Sequence, residues 1–270
     1  MSATIVSCFY DMPTNKKHTI HSYIQWISIF LHYCNTPIVM FSDGEVADYM
    51  DTYRKSISPT HAANWKLIRR PLHALAFHWP EFWKETIESD TRRTTYTADI
   101  CMIWANKSQF LEEVANSNPF YSTHFYWCDA GCWRNKAFAE RYAPNWPSKL
   151  DDPLQLTWVE NLDRFQTIYR SLSPRTIDSI FTIETQKCVT LGGAIFGGSK
   201  ESVLHYADCI RKSYELYRTK KLFAADDQAV MASAAFLMQH LYGEHTVKHC
   251  SSSDYPILGD RWFLFQYVLV

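Results

Sequence analysis

Glycine is scarce in this sequence. Eight occur in 270 residues, where ordinary usage near 7% would supply about 19. Five of those eight fall in two short stretches, Asp129-Ala130-Gly131 and Gly192-Gly193-Ala194-Ile195-Phe196-Gly197-Gly198. A chain so sparing with glycine places it where the backbone needs positive φ or where something must approach closely. An excess of one charge is also lacking. Twenty-seven Lys and Arg against 28 Asp and Glu give a formal net charge of -1, so the basic field of a nucleic-acid binder is absent and no nucleic-acid partner is expected. The longest apolar runs, Trp26–Leu31 and Trp262–Val270, fall far short of the roughly 20 residues that cross a bilayer, and no transmembrane segment is expected. Met1–Thr4 carries no basic stretch leading into an apolar one, so a secretory signal is not expected and the predicted location is cytoplasmic. Eight cysteines are too sparse for a disulfide scaffold and read as reduced packing residues. Aromatic side chains, at 16%, are abundant, which suits both a core of large rings and a site that stacks on flat ligands.

Thr4–Tyr10 is a β-rich run that Asp11-Met12-Pro13 ends, predicting a strand and a loop. Ile20, Tyr23, Ile24, Ile27, Leu31 and Cys34 repeat at helical spacing until Asn35-Thr36-Pro37. Ile38–Phe41 then reads as a strand buried on both faces, completing a βαβ unit. Asn64–Ile68 and Thr123–Cys128 are further strands, with an aromatic-rich stretch lacking clean periodicity over residues 72–96. A long helix is predicted over about 98–116, and helices near 200–218 and 226–242. Residues 144–180, with Pro144, Pro147, Pro153 and Pro174, read as an irregular insertion, and Cys188–Leu191 as a strand just before the glycine cluster. The pattern predicts an α/β sandwich around a mainly parallel sheet.

Four features carry chemistry. Asp129, at the end of an apolar strand and followed by Ala130 and Gly131, puts a carboxylate at the carboxyl edge of the sheet, where open α/β folds bind ligands. A hard cation on two phosphates needs such oxygen ligands, and Gly131 would let the phosphates approach. Lys107 lies in the apolar stripe of its helix, where an ammonium must escape to solvent or be paired. Gly192–Gly198 admits a ligand against its backbone, or makes bulges in a strand; its spacing is not the dinucleotide fingerprint. Asp226-Asp227-Gln228 opens the last long helix with one acid more than a cap requires, leaving one carboxylate for a cleft. His245 and His249 make only an isolated H-x3-H pair, and Cys128 with Cys132 lacks the second thiol pair of a zinc site.

Several motifs occur in order: Thr4–Asp11, Tyr23-x-x-Trp26, Phe41-Ser42-Asp43, Lys107 before Asn118-Pro119-Phe120, Phe125-x-Trp127-x-Asp129-Ala130-Gly131-x-x-Arg134, Gly192-Gly193-x-x-Phe196-Gly197-Gly198 and Asp226-Asp227-Gln228. This series resembles the HtrL/YibB family and, more widely, GT-A fold glycosyltransferases. The resemblance implies a single GT-A-like domain over residues 1–270, with a nucleotide-binding half over about 1–135 and an acceptor or sugar half over about 136–270. It implies a hexosyltransferase using a nucleotide-sugar donor, a UDP-sugar, and a glycan or glycoprotein acceptor. Asp129 would match the first acid of the D-x-D motif, touching the donor ribose and Mn²⁺ or Mg²⁺. Gly131 stands where the second acid is expected, so Asp226, Asp227 or His249 would complete the metal shell, or the enzyme would work with a weakly held ion. Lys107 would approach the diphosphate, Phe9 and Tyr10 would border the uracil pocket, Gly192 and Gly193 would lie beside the transferred sugar, and Asp227 near its anomeric carbon. A non-catalytic nucleotide- or sugar-binding protein on the same fold is the alternative, and a glycoside hydrolase a third reading that needs paired carboxylates across the bond.

Overall fold

The computed structural model describes residues 1–12, 18–89, 96–160, 162–171, 190–224 and 226–270. Strand β1 (Ala3–Cys8) joins β2 (Ile38–Ser42), β3 (Trp65–Arg69), β4 (His124–Cys128), β5 (Leu154–Glu160), β6 (Thr190–Ser199) and β7 (Val247–Ser251) in one sheet. The order across it is β3-β2-β1-β4-β6-β5-β7. All pairings are parallel except the two made by β6, against β4 and β5. The expected α/β class with a mainly parallel sheet is therefore what the chain adopts. The sheet draws on residues from both ends of the sequence.

Successive side chains of a strand point to opposite faces. Val6 and Cys8 accordingly enter one core with Trp83, Phe110, Tyr206 and Leu237, supplied by α4 (Pro80–Glu88), α5 (Ala98–Ser117), α8 (Lys200–Thr219) and α9 (Asp227–Tyr242). Ile5 enters the opposite core with Ile27 and Phe30 of α1 (Ile20–Tyr33), Met50 of α2 (Gly44–Ile57) and Phe265 of α10 (Phe265–Val268). The short helices α3 (Pro59–Ala63) and α6 (Lys136–Tyr142), with α7 (Leu162–Ser171), complete the described helices.

Three expectations change. Residues 144–180 are not simply an irregular insertion, because Leu154–Glu160 is a buried strand between β6 and β7. Its polar positions Gln155 and Thr157 are buried rather than solvated, and the Tyr126 hydroxyl donates to Gln155 Oε1 at 2.6 Å. Residues 172–180, with Pro174, lie outside the described residues. The aromatic-rich stretch over 72–96 contains α4, whose N-terminal Pro80 suits a first helical turn. The glycine cluster does not follow a strand but forms one, while Cys188 and Val189 lie outside the described residues. In β6 the register jumps from Gln155↔Gly197 to Thr157↔Gly192, so residues 193–196 bulge opposite Leu156.

Candidate active site

The cluster begins with Lys107. Helical spacing places it on the buried face of α5, and the chain answers the cost of that burial by pairing it. Its side chain is only 5% exposed. The ammonium donates to Gly193 O at 3.0 Å and Asp227 Oδ2 at 3.1 Å, and lies 3.3 and 3.4 Å from the two carboxylate oxygens of Asp129. Burial alone would lower its pKa, but the two carboxylates more than offset it and hold it well above the usual lysine value. Lys107 does not snorkel.

Asp129 stands just past the carboxyl end of β4. Its backbone N–H donates to Ala194 O at 2.8 Å, which ties the turn to β6, and Trp127 Nε1 donates to Oδ1 at 2.6 Å. Burial raises its pKa above the ordinary carboxylate value, against the opposing pull of Lys107 and Trp127. The side chain nevertheless remains 34% exposed, facing the cleft. At the start of α9 the two neighbouring acids divide the work. Asp226 caps the helix, its Oδ1 accepting from Gln228 N at 3.1 Å, whereas Asp227 is buried to 10% exposure and turned onto Lys107. Gly193 leaves room for the Asp227 carboxylate. A Cβ there would stand 2.8 Å from Asp227 Oδ2 and 3.0 Å from Met231 Sδ.

These groups floor a cleft of about 450 Å³ at the carboxyl edge of the sheet. Phe9, Tyr23, Trp104, Arg134 and Trp262 stand in its walls, and Gly131, Asp226 and Gln228 also border it. Gly131 is packed, because a Cβ there would lie 3.1 Å from the Tyr23 ring. Phe9 rests against Tyr23 with ring centroids 5.5 Å apart. Tyr10, one residue on, turns to the opposite core and is not a wall of the cleft; its buried hydroxyl has no hydrogen-bond partner among the described residues. Gly192 also stands back from the cleft, against Thr157 and the Trp262 carbonyl. Two other hollows, one beside residues 78–89 and 218–222 and one beside 159–164 and 251–261, bring no buried charged side chain to their walls.

Among the described residues no group of three His, Cys, Asp or Glu side chains converges. His249 does not join the cluster, since it accepts from Trp158 Nε1 at 2.9 Å and contacts Gln239 Oε1 at 3.2 Å, and burial pushes its pKa down to about 4. Asp129, partly exposed, fits as one carboxylate ligand of an ion that takes its remaining ligands from phosphate oxygens and water, the usual manner of Mg²⁺. The cysteines of the described residues are buried.

Reading the sequence alone missed His18, Trp104, Asp260, Trp262 and Phe263 as cleft residues. Trp104 stood in the apolar stripe of α5 and was indistinguishable from core. The last three belong to a turn distant in sequence from every motif.

Fold and cluster together define an α/β protein with a carboxylate–ammonium–carboxylate site at the carboxyl edge of its sheet. The chain matches the family described as bacterial protein of unknown function (HtrL/YibB) over residues 1–248, and it belongs to that family. No protein with a curated description matches it. Among solved structures, core-mannan synthase A from Aspergillus fumigatus, in a Mn/GDP form, is similar at 10% identity with a TM-score of 0.46, over 92% of this chain and 72% of that one. Among the described residues no helix is long and apolar enough to cross a membrane.

Proposed function

We propose that this protein is a glycosyltransferase that moves a hexose from a nucleoside diphosphate sugar, a UDP-sugar, to a glycan acceptor. The observation that carries the reading is the Asp129–Lys107–Asp227 cluster at the floor of an aromatic-walled cleft. Glycosyl transfer develops positive charge on the sugar ring and negative charge on the departing diphosphate. The ring end needs a fixed carboxylate, which Asp227 supplies, and Lys107 fixes it by holding Oδ2 at 3.1 Å. Phe9 and Tyr23 offer rings for the base. Asp129 would hold Mn²⁺ or Mg²⁺, which when bound would neutralise diphosphate charge. Residues up to about 135 then supply the nucleotide side of the cleft, and those after it the sugar side.

The test measures UDP binding by thermal shift, with and without Mn²⁺, and transfer from UDP-hexoses. UDP is expected to raise the melting temperature by mass action. Asp227→Asn is expected to keep UDP binding and to lower transfer at least about 100-fold, the lower bound for a positioned carboxylate. UDP binding with no turnover of any UDP-hexose would favour the non-catalytic binding protein. Wild-type turnover in Asp227→Asn would remove that residue from the chemistry.

A further inference from the structure

Every hydrogen of the Lys107 ammonium has an acceptor. Gly193 O, Asp227 and Asp129 surround it at 3.0 to 3.4 Å, and the side chain is 5% exposed. It cannot turn to a phosphate without releasing one of the two carboxylates. Lys107 is thus the lock of the cluster, and a side-chain cation for the diphosphate, beside any ion that Asp129 holds, has to come from elsewhere in the cleft.

Arg134 is the other permanently charged cation among the described cleft residues, and its construction is specific. Its Nε donates to Gly131 O at 2.9 Å, within the turn that carries Asp129. Its guanidinium carbon lies 4.5 Å from the Trp26 ring centroid and 4.9 Å from that of Phe263. One hydrogen bond and two rings therefore fix the guanidinium, although the residue is exposed. The two terminal nitrogens, with four N–H groups, have no hydrogen bond or ion pair to the described residues. A guanidinium held rigid with its fork unengaged is preorganised for two oxygens of one phosphate.

We propose that Arg134 is the diphosphate-binding residue of the donor site, receiving two oxygens of one of its phosphates bidentately while Lys107 only orders the carboxylates. This assignment rests on the nucleotide-sugar reading above for its physiological ligand, but its chemistry, an oxyanion on a clamped guanidinium, is tested separately. Arg134→Gln keeps a polar, unbranched side chain at this position and removes the charge.

The experiment measures dissociation constants of UDP, uridine and inorganic pyrophosphate by calorimetry, without divalent metal, for the wild type and Arg134→Gln. UDP and pyrophosphate are expected to weaken about 10- to 100-fold, the range for loss of a charge-assisted hydrogen bond, and uridine to change less than about twofold. Unchanged UDP and pyrophosphate binding in Arg134→Gln would overturn the assignment and make the residue a packed part of the wall, leaving the transferase reading intact. Equal weakening of uridine would likewise overturn it, because a distorted wall would then explain the loss. Pyrophosphate binding that depends on Arg134, without binding of any nucleotide, would support the oxyanion site and sink the transferase reading. If the wild type binds neither UDP nor pyrophosphate, both fall.

Discussion

An ammonium inside a helix's apolar face is tolerated only when its partners are as well fixed as it is. Lys107 meets that condition through one carbonyl and two carboxylates, so removing it leaves Asp129 and Asp227 facing each other with no counter-charge. Losing one partner of a buried ion pair costs about 3–5 kcal/mol, and partial exposure of Asp129 argues for the lower end. Lys107→Met is therefore expected to lose about 3 kcal/mol at pH 8, although an apolar side chain suits the stripe. The pH dependence has a definite sign. The folded pKa of Lys107 is raised, so its stabilisation is present below the unfolded value near 10.5 and is lost only as pH rises through the folded one. Asp129 already titrates above the ordinary carboxylate range, and without Lys107 it would rise further. Acid then protonates Asp129 and relieves the repulsion, so the deficit should narrow as pH falls from 8 towards 4. Urea unfolding of both proteins across that range decides the matter; a deficit independent of pH would mean that lost packing, not charge, is responsible.

Strand β6 shows how far the sequence could be read and where it stopped. The scarcity of glycine elsewhere made the cluster legible as a place of close approach, but not which glycine approaches what. Four neighbours have three different reasons. A Cβ on Gly197 would fall 2.2 Å from Phe125 O of β4, and on Gly198 2.7 Å from Pro153 O just before β5, both backbone atoms. Gly193 faces the Asp227 carboxylate, and Gly192 has only ordinary contacts at 3.5 Å. Such differences depend on pairing across the sheet, which local spacing does not encode. The helices of α5, α8 and α9 were legible because their apolar period is local, whereas β5 was masked by the prolines before it and by Gln155 and Thr157, polar residues that its neighbours satisfy. The division of Asp226 and Asp227 between cap and cleft was half legible: spacing showed one acid too many, and only the fold shows which turns inward. Alanine substitutions should separate the glycines. Gly192→Ala is expected to change stability by less than about 1 kcal/mol, and Gly197→Ala to cost more than about 3 kcal/mol because backbone must move. Gly193→Ala should fold and keep most of its stability, yet lower transfer, since displacing Asp227 costs less than displacing a strand. Chemical denaturation and a transfer assay on the three variants check this; a Gly197→Ala protein as stable as the wild type would refute the close-approach account.

At the scale of the molecule, the family match ends at residue 248 while the cleft does not. Asp260, Trp262 and Phe263 close one of its walls, and they are carried by a segment that the rest of the chain grips firmly. Trp146 Nε1 donates to Phe265 O at 2.7 Å, Gln266 Nε2 to Cys132 O at 3.0 Å, and Ser148 N to Leu269 O at 2.8 Å. Phe263, Leu264, Phe265, Tyr267 and Leu269 are buried in the same core as Ile27 and Phe30 of α1. Each such side chain contributes about 1.5–3 kcal/mol on burial, so several together rival the roughly 5–15 kcal/mol of net stability of a domain. A chain ending at Gly259 is therefore expected to lose cooperative unfolding, exposing the apolar faces of α1 and of Trp133 and Trp146. Trp262 behaves differently, since at 37% exposure it faces the cleft more than the core. Trp262→Ala should unfold within about 1 kcal/mol of the wild type and change only what the cleft binds. Thermal unfolding of the two variants, read by tryptophan fluorescence, separates the roles. A shortened chain that melts as cooperatively as the full one would show that the segment is an appendage to the cleft and that the core is complete without it.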